Sequence, residues 1–126
     1  MTILDQINEH KKAEVAAAKK AVPLAELMKL PGYNRPVPSF TRFLFDMEKT
    51  GIIAEHKRKS PSKGIINDRV NLEEVVRGYE NAGASAVSVL TDESYFGGAL
   101  KDLDRASSLL SIPVLRKDFI VDSYQI

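Results

Sequence analysis

The chain contains no cysteine. A disulfide framework, a thiolate nucleophile and thiolate metal sites are thereby excluded. Histidine is almost absent as well. His10 and His56 are the only two, and they lie far apart in sequence with no metal-ligand spacing. An excess of one charge is also missing: 18 Lys and Arg against 17 Asp and Glu leave +1. No global field selects nucleic acid or a membrane as a partner, so any preference for anions must be local. No apolar run approaches the roughly 20 residues needed to span a bilayer. The N-terminus, MTILDQINEHKK, has no apolar core resembling a signal peptide. The expected location is the cytoplasm.

What remains is ordinary globular material. At 126 residues, 44% hydrophobic and 28% charged, the chain has the size of a single domain and the composition of a soluble one. Thr2 with Asp5 three positions later predicts a capped first helix, whose stripe runs through Ile3, Leu4, Ile7, Lys11, Val15 and Ala18 and weakens after the second turn. Val22-Pro23 breaks it, and Pro23 opens a short helix expected to run to Leu30. Ser39 caps a third helix, with Phe40, Phe43, Leu44 and Met47 on one face and Gly51 closing it.

After Gly51 the rhythm changes. Ile52-Ile53-Ala54, AVSVL at 86–90 and IPVL at 112–115 are short apolar runs. Between them lie two amphipathic helical stretches: Leu72, Val75, Val76 and Tyr79 behind an Asn71 cap, then Leu100, Leu103, Ala106 and Leu110. Strand, helix, strand, helix, strand is the signature of βαβ units and a parallel sheet. Asp122 and Gln125 form a further capping box. A helix signal with one turn behind it and a sheet with open edges lead us to expect a truncated chain that self-associates through those edges.

In parallel α/β folds the chemistry gathers at the carboxyl ends of the strands. Those ends read Glu55-His56-Lys57, Thr91-Asp92-Glu93 with Tyr95-Phe96 behind it, and Arg116-Lys117-Asp118-Phe119. Alternation places Glu55 with Lys57, and Lys117 with Phe119, and turns His56, Arg116 and Asp118 the other way. Glu55, Lys57 and Lys117 beside Phe96 and Phe119 would suit an anionic, partly aromatic substrate. Plainer readings stay open from residue types alone. Glu55 and Lys57 would also make a structural ion pair. HKRKSPSK would also be a solvated loop or a nucleic-acid patch. Both phenylalanines would also serve as core.

Three motifs in order carry a resemblance. IIAEHKRKSPSKG, SVLTDESYFGG and PVLRKDFIVDSYQI resemble the successive strand ends of the indole-3-glycerol-phosphate synthase family, and the likeness extends over essentially the whole chain. It implies a TIM (β/α)8 barrel, with residues 1–50 as the N-terminal helical extension. Residues 51–126 would be the first three strands, stopping at the start of the next helix. It implies closure of the indole ring of 1-(o-carboxyphenylamino)-1-deoxyribulose 5-phosphate, with loss of carbon dioxide and water and no metal or organic cofactor. By resemblance Lys117 is the general acid, Glu55 and Lys57 are its first-strand partners, and Ser60 belongs to the substrate-binding loop. Phe96 and Phe119 would lie against the anthranilate ring. The implied partner is a small phosphorylated substrate, not nucleic acid or membrane. A barrel of this kind needs about 250 residues, so the 126-residue chain is expected to be inactive by itself. The alternative is a half-barrel that binds an anion or a partner without catalysis. Where the family usually has an apolar residue after Glu55, this sequence has His56, read as a helix-layer substitution.

Overall fold

Thr2 and Asp5 start the first helix as the sequence predicts. The Thr2 hydroxyl accepts from the Asp5 N–H at 3.2 Å, and the Asp5 carboxylate accepts from the Thr2 N–H at 2.7 Å. In the computed structural model, which describes Met1–Ile126, helix α1 spans Ile3–Ala21 and buries Ile7, Lys11 and Val15 at four-residue spacing. Helix α2 covers only Leu24–Leu27, with Pro23 as its cap, and buries nothing. It stops short of Leu30 because Lys29 and Leu30 take three-residue turn bonds to Glu26 and Leu27. Residues 1–36 and 119–126 form one compact unit. Within it Asp122 caps a 3-10 turn, Ser123–Gln125, as its capping box predicts. The Tyr124 hydroxyl donates to the Val22 carbonyl at 2.6 Å, and Lys19 meets Asp122 at 2.6 Å.

Residues 37–118 form the second unit. Helix α3, Phe40–Leu44, starts where Ser39 accepts from the Arg42 N–H. It does not reach Gly51. Asp46 Oδ1 takes the Glu48 N–H at 2.9 Å, a local bond that competes with helix propagation. Met47, expected on the apolar face, is 95% exposed. Thr50 and Gly51 then fasten to the Gly83 carbonyl and the Ser85 hydroxyl and lead into the sheet.

The sheet has three parallel strands in the order β1 (Ile53–His56), β4 (Ala86–Leu90), β5 (Val114–Lys117). Two further strands, β2 (Lys59–Ser60) and β3 (Gly64–Ile65), make a small antiparallel hairpin in the segment after β1. Helices α4 (Leu72–Asn81) and α5 (Leu100–Leu109) are the crossovers. The expected α/β order is thus observed. Asn71 caps α4 by accepting from Glu73 and Glu74, and Gly83 at φ +93° ends its turn. Val76, Val87, Val89, Ala106 and Ile112 centre the core between the helices and one sheet face, with Ala54 and Val114 packed against them. The opposite face carries Ile53 and Leu115, each 42% exposed. No helix is long and apolar enough to cross a membrane.

Candidate active site

Glu55 faces Ser88 across the β1–β4 pairing, and Lys117 lies one row farther on, beside Leu90. The register brings three side chains together on the face opposite the helices. Lys117 Nζ donates to Glu55 Oε2 at 2.8 Å, and Ser88 Oγ donates to the same oxygen at 3.0 Å. Glu55 is therefore joined to a lysine 62 residues away and not to Lys57, its neighbour on the strand. The Glu55 side chain is 26% exposed and that of Lys117 53%, so the ammonium remains open to a ligand. The Tyr79 hydroxyl of α4 donates to the Glu55 carbonyl at 3.1 Å and fixes the strand end from behind. Lys57 follows the last residue of β1 and is half-buried.

The other sequence-predicted residues take these places. Ser60 is buried in the β2–β3 hairpin, where its oxygen accepts from the Lys63 N–H at 3.2 Å. Phe96 is half-buried in the loop after β4, and its N–H reaches Asp92 Oδ2 at 3.2 Å, beside that of Tyr95 at 2.8 Å. Phe119 is half-buried and belongs to the N-terminal unit, where its carbonyl accepts from Gln125.

His56 points to the helix side, as alternation predicts, and is 3% exposed. Burial lowers its pKa, the Arg58 charge pushes the same way, and Asp102 opposes them. Its Nε2 has no hydrogen-bond partner. Beside it, Arg58 Nη1 meets Asp102 Oδ2 at 2.5 Å, and Nη2 meets Oδ1 at 3.3 Å. Arg58 also donates to the Gly97 carbonyl, and Lys59 Nζ donates to the Ser94 carbonyl at 3.1 Å. Two of the cations in HKRKSPSK thus tie the loop after β1 to the loop after β4. They are not a free basic patch.

The family model described as indole-3-glycerol phosphate synthase matches residues 4–126. The chain belongs to the indole-3-glycerol phosphate synthase family. Proteins of that name from Bacteroides thetaiotaomicron, Neisseria meningitidis and Burkholderia vietnamiensis are 45%, 46% and 43% identical to it over 98% of its length. The alignments cover 47%, 49% and 48% of those proteins. The chain spans about half the length of the curated relatives it matches.

In this synthase-family chain the sequence reading overlooked several residues. Asp102 carries a charge inside an amphipathic helix, where a solvated position is the default, and nothing local announces its partner 44 residues earlier. Gly98 stands where a Cβ would come within 2.0 Å of the Leu90 carbonyl oxygen. The loop after β4 thus crosses its own strand end, and only glycine permits that approach. The SYFGG spelling was the available signal. Thr91, at the end of β4, is the hub of a hydrogen-bond triangle with Arg116 and Asp118 that nothing local in the sequence announces.

Proposed function

We propose that this chain supplies the first-strand and third-strand walls of an indole-3-glycerol phosphate synthase active site. Residues 51–126 are then the first three strands of a (β/α)8 barrel, and residues 1–50 its helical extension. The reaction is ring closure of 1-(o-carboxyphenylamino)-1-deoxyribulose 5-phosphate with loss of carbon dioxide and water, in the cytoplasm. The observation that carries the reading is the Lys117–Glu55 contact of 2.8 Å at the carboxyl ends of two parallel strands. Attack of a ring carbon on a ketone builds negative charge on the carbonyl oxygen. An ammonium held at that oxygen supplies the proton. Glu55 aims the ammonium while leaving it half open to solvent. Lys57 sits beside the same strand end for the anionic substrate, Ser60 lies in the hairpin that follows, and Phe96 and Phe119 are the ring-facing apolar groups. The exposed Ile53 and Leu115 support an incomplete barrel, since an apolar sheet face is normally covered. The free edges of β1 and β5 then favour self-association, which a monodisperse monomer in light scattering would contradict.

A chimera tests the reading: residues 1–126 replace the matching part of the Neisseria meningitidis relative, and product is followed by indole fluorescence. Lys117→Ala is expected to cut turnover by about 10²-fold or more while leaving the protein folded, with a cost in urea below about 1 kcal/mol. Unchanged turnover refutes the assignment. Residues 1–126 alone are expected to show no turnover.

A further inference from the structure

Lys117 is an exposed, flexible side chain, yet the strand end that carries it is held with unusual care. The Thr91 N–H donates to the Lys117 carbonyl at 3.0 Å. The Thr91 hydroxyl donates to Asp118 Oδ2 at 2.7 Å, and Arg116 Nε donates to that same hydroxyl at 3.1 Å. Arg116 Nη2 closes the triangle on Asp118 Oδ2 at 3.5 Å. One threonine at the end of β4 therefore grips the residue before Lys117, the residue after it and its own backbone.

We propose that Thr91 is a positioning residue, whose hydroxyl fixes the β5 end so that Lys117 is aimed at Glu55. The inference rests on the reading of Lys117 as the acid, because only then does its aim matter for turnover. Alternation supplies the logic. Arg116 and Asp118 project to the face opposite Lys117, so fastening both to one hydroxyl fixes the peptide planes on either side of the lysine. The Asp118 side chain is 2% exposed, and a buried carboxylate is costly without its hydrogen bonds. The hydroxyl bond to it is charge-assisted and short. Threonine suits the task because its β-branch restricts χ1 and keeps the hydroxyl in place.

The test reads geometry directly and needs no turnover. A carbodiimide joins a carboxylate and an amine as an amide, with loss of water to the reagent, only when the two touch. The Glu55–Lys117 cross-link is quantified by mass spectrometry in the 126-residue chain. The Lys19–Asp122 pair, at 2.6 Å in the other unit, serves as internal standard. Thr91→Val is expected to lower the Glu55–Lys117 yield by about fivefold or more, the worth of the two hydrogen bonds its hydroxyl makes, relative to the standard. Thr91→Ser, which keeps the hydroxyl, is expected to restore most of it. A fold lost through packing alone would also lower the urea midpoint of the variant, which is measured beside the yield. If Thr91→Val does not fold, Asp118→Asn replaces it. That change keeps the shape, removes the charge facing Arg116, and is expected to lower the yield less. An unchanged yield in whichever variant folds overturns the proposal. If the yield falls while Lys117→Ala leaves the chimera active, positioning stands and the acid role fails.

Discussion

Two ion pairs leave the parallel strand ends, one on each face of the sheet. Glu55–Lys117 lies on the face opposite the helices, with side chains 26% and 53% exposed. Arg58–Asp102 lies on the helix side at 22% and 8%, with two bonds in fork geometry and a third to the Gly97 carbonyl. Four residues of one short segment, Glu55 to Arg58, thus serve two purposes. The half-open pair contributes little to stability and leaves the ammonium half exposed. The enclosed pair contributes only if it stays intact, since either charge left alone is buried without compensation.

The largest effect should come from breaking the enclosed pair. Asp102→Ala leaves Arg58 without its carboxylate and is expected to cost about 3 kcal/mol of unfolding free energy, read from urea denaturation. Lys117→Ala should cost below about 1 kcal/mol. Equal costs would mean that burial does not separate the two pairs.

A pH titration gives the next effect, and it belongs to the enclosed side alone. Burial and Arg58 hold the His56 pKa below its ordinary value of 6.5. The unfolded chain therefore takes up this proton first as pH falls. Stability is fully present above the unfolded value, and it is lost as pH drops through 6.5 toward the lower folded value. Urea midpoints measured between about pH 7.5 and 5.5, where carboxylates stay ionised, should decline toward acid. His56→Leu should flatten that decline, and an unchanged slope would show that His56 is not its source.

Much of this arrangement was legible because it is local. Caps at Thr2, Asn71 and Asp122, the βαβ rhythm after Gly51 and the opposed faces of Glu55 and His56 all follow from spacing within a few residues. What was not legible depends on partners far along the chain. Asp102 is buried because Arg58 reaches it. Glu55 pairs with Lys117 instead of Lys57 because the register of three strands brings them together. The β2–β3 hairpin has two residues per strand, too few to show a period. The third helix failed for a local reason of another kind. The Asp46 side chain offers the backbone a turn, so Met47, an apolar residue at helical spacing, ends 95% exposed.

The smallest stability effect should be Glu55→Gln, and it sharpens the contrast most. Glutamine has the same shape and keeps a carbonyl oxygen for Ser88 Oγ and Lys117 Nζ, so only the charge is removed. For a half-exposed pair that is worth under about 1 kcal/mol. Its salt dependence is more telling than its size. At 1 M salt the screening length falls to about 3 Å, comparable with the 2.8 Å separation of the pair. The wild-type advantage over Glu55→Gln should therefore shrink as salt rises. Asp102→Asn, made as the matched change on the enclosed side, should keep most of its cost, because ions do not reach a carboxylate that is 8% exposed. If both differences fade together, the two pairs are equally wet, and side-chain exposure does not separate them.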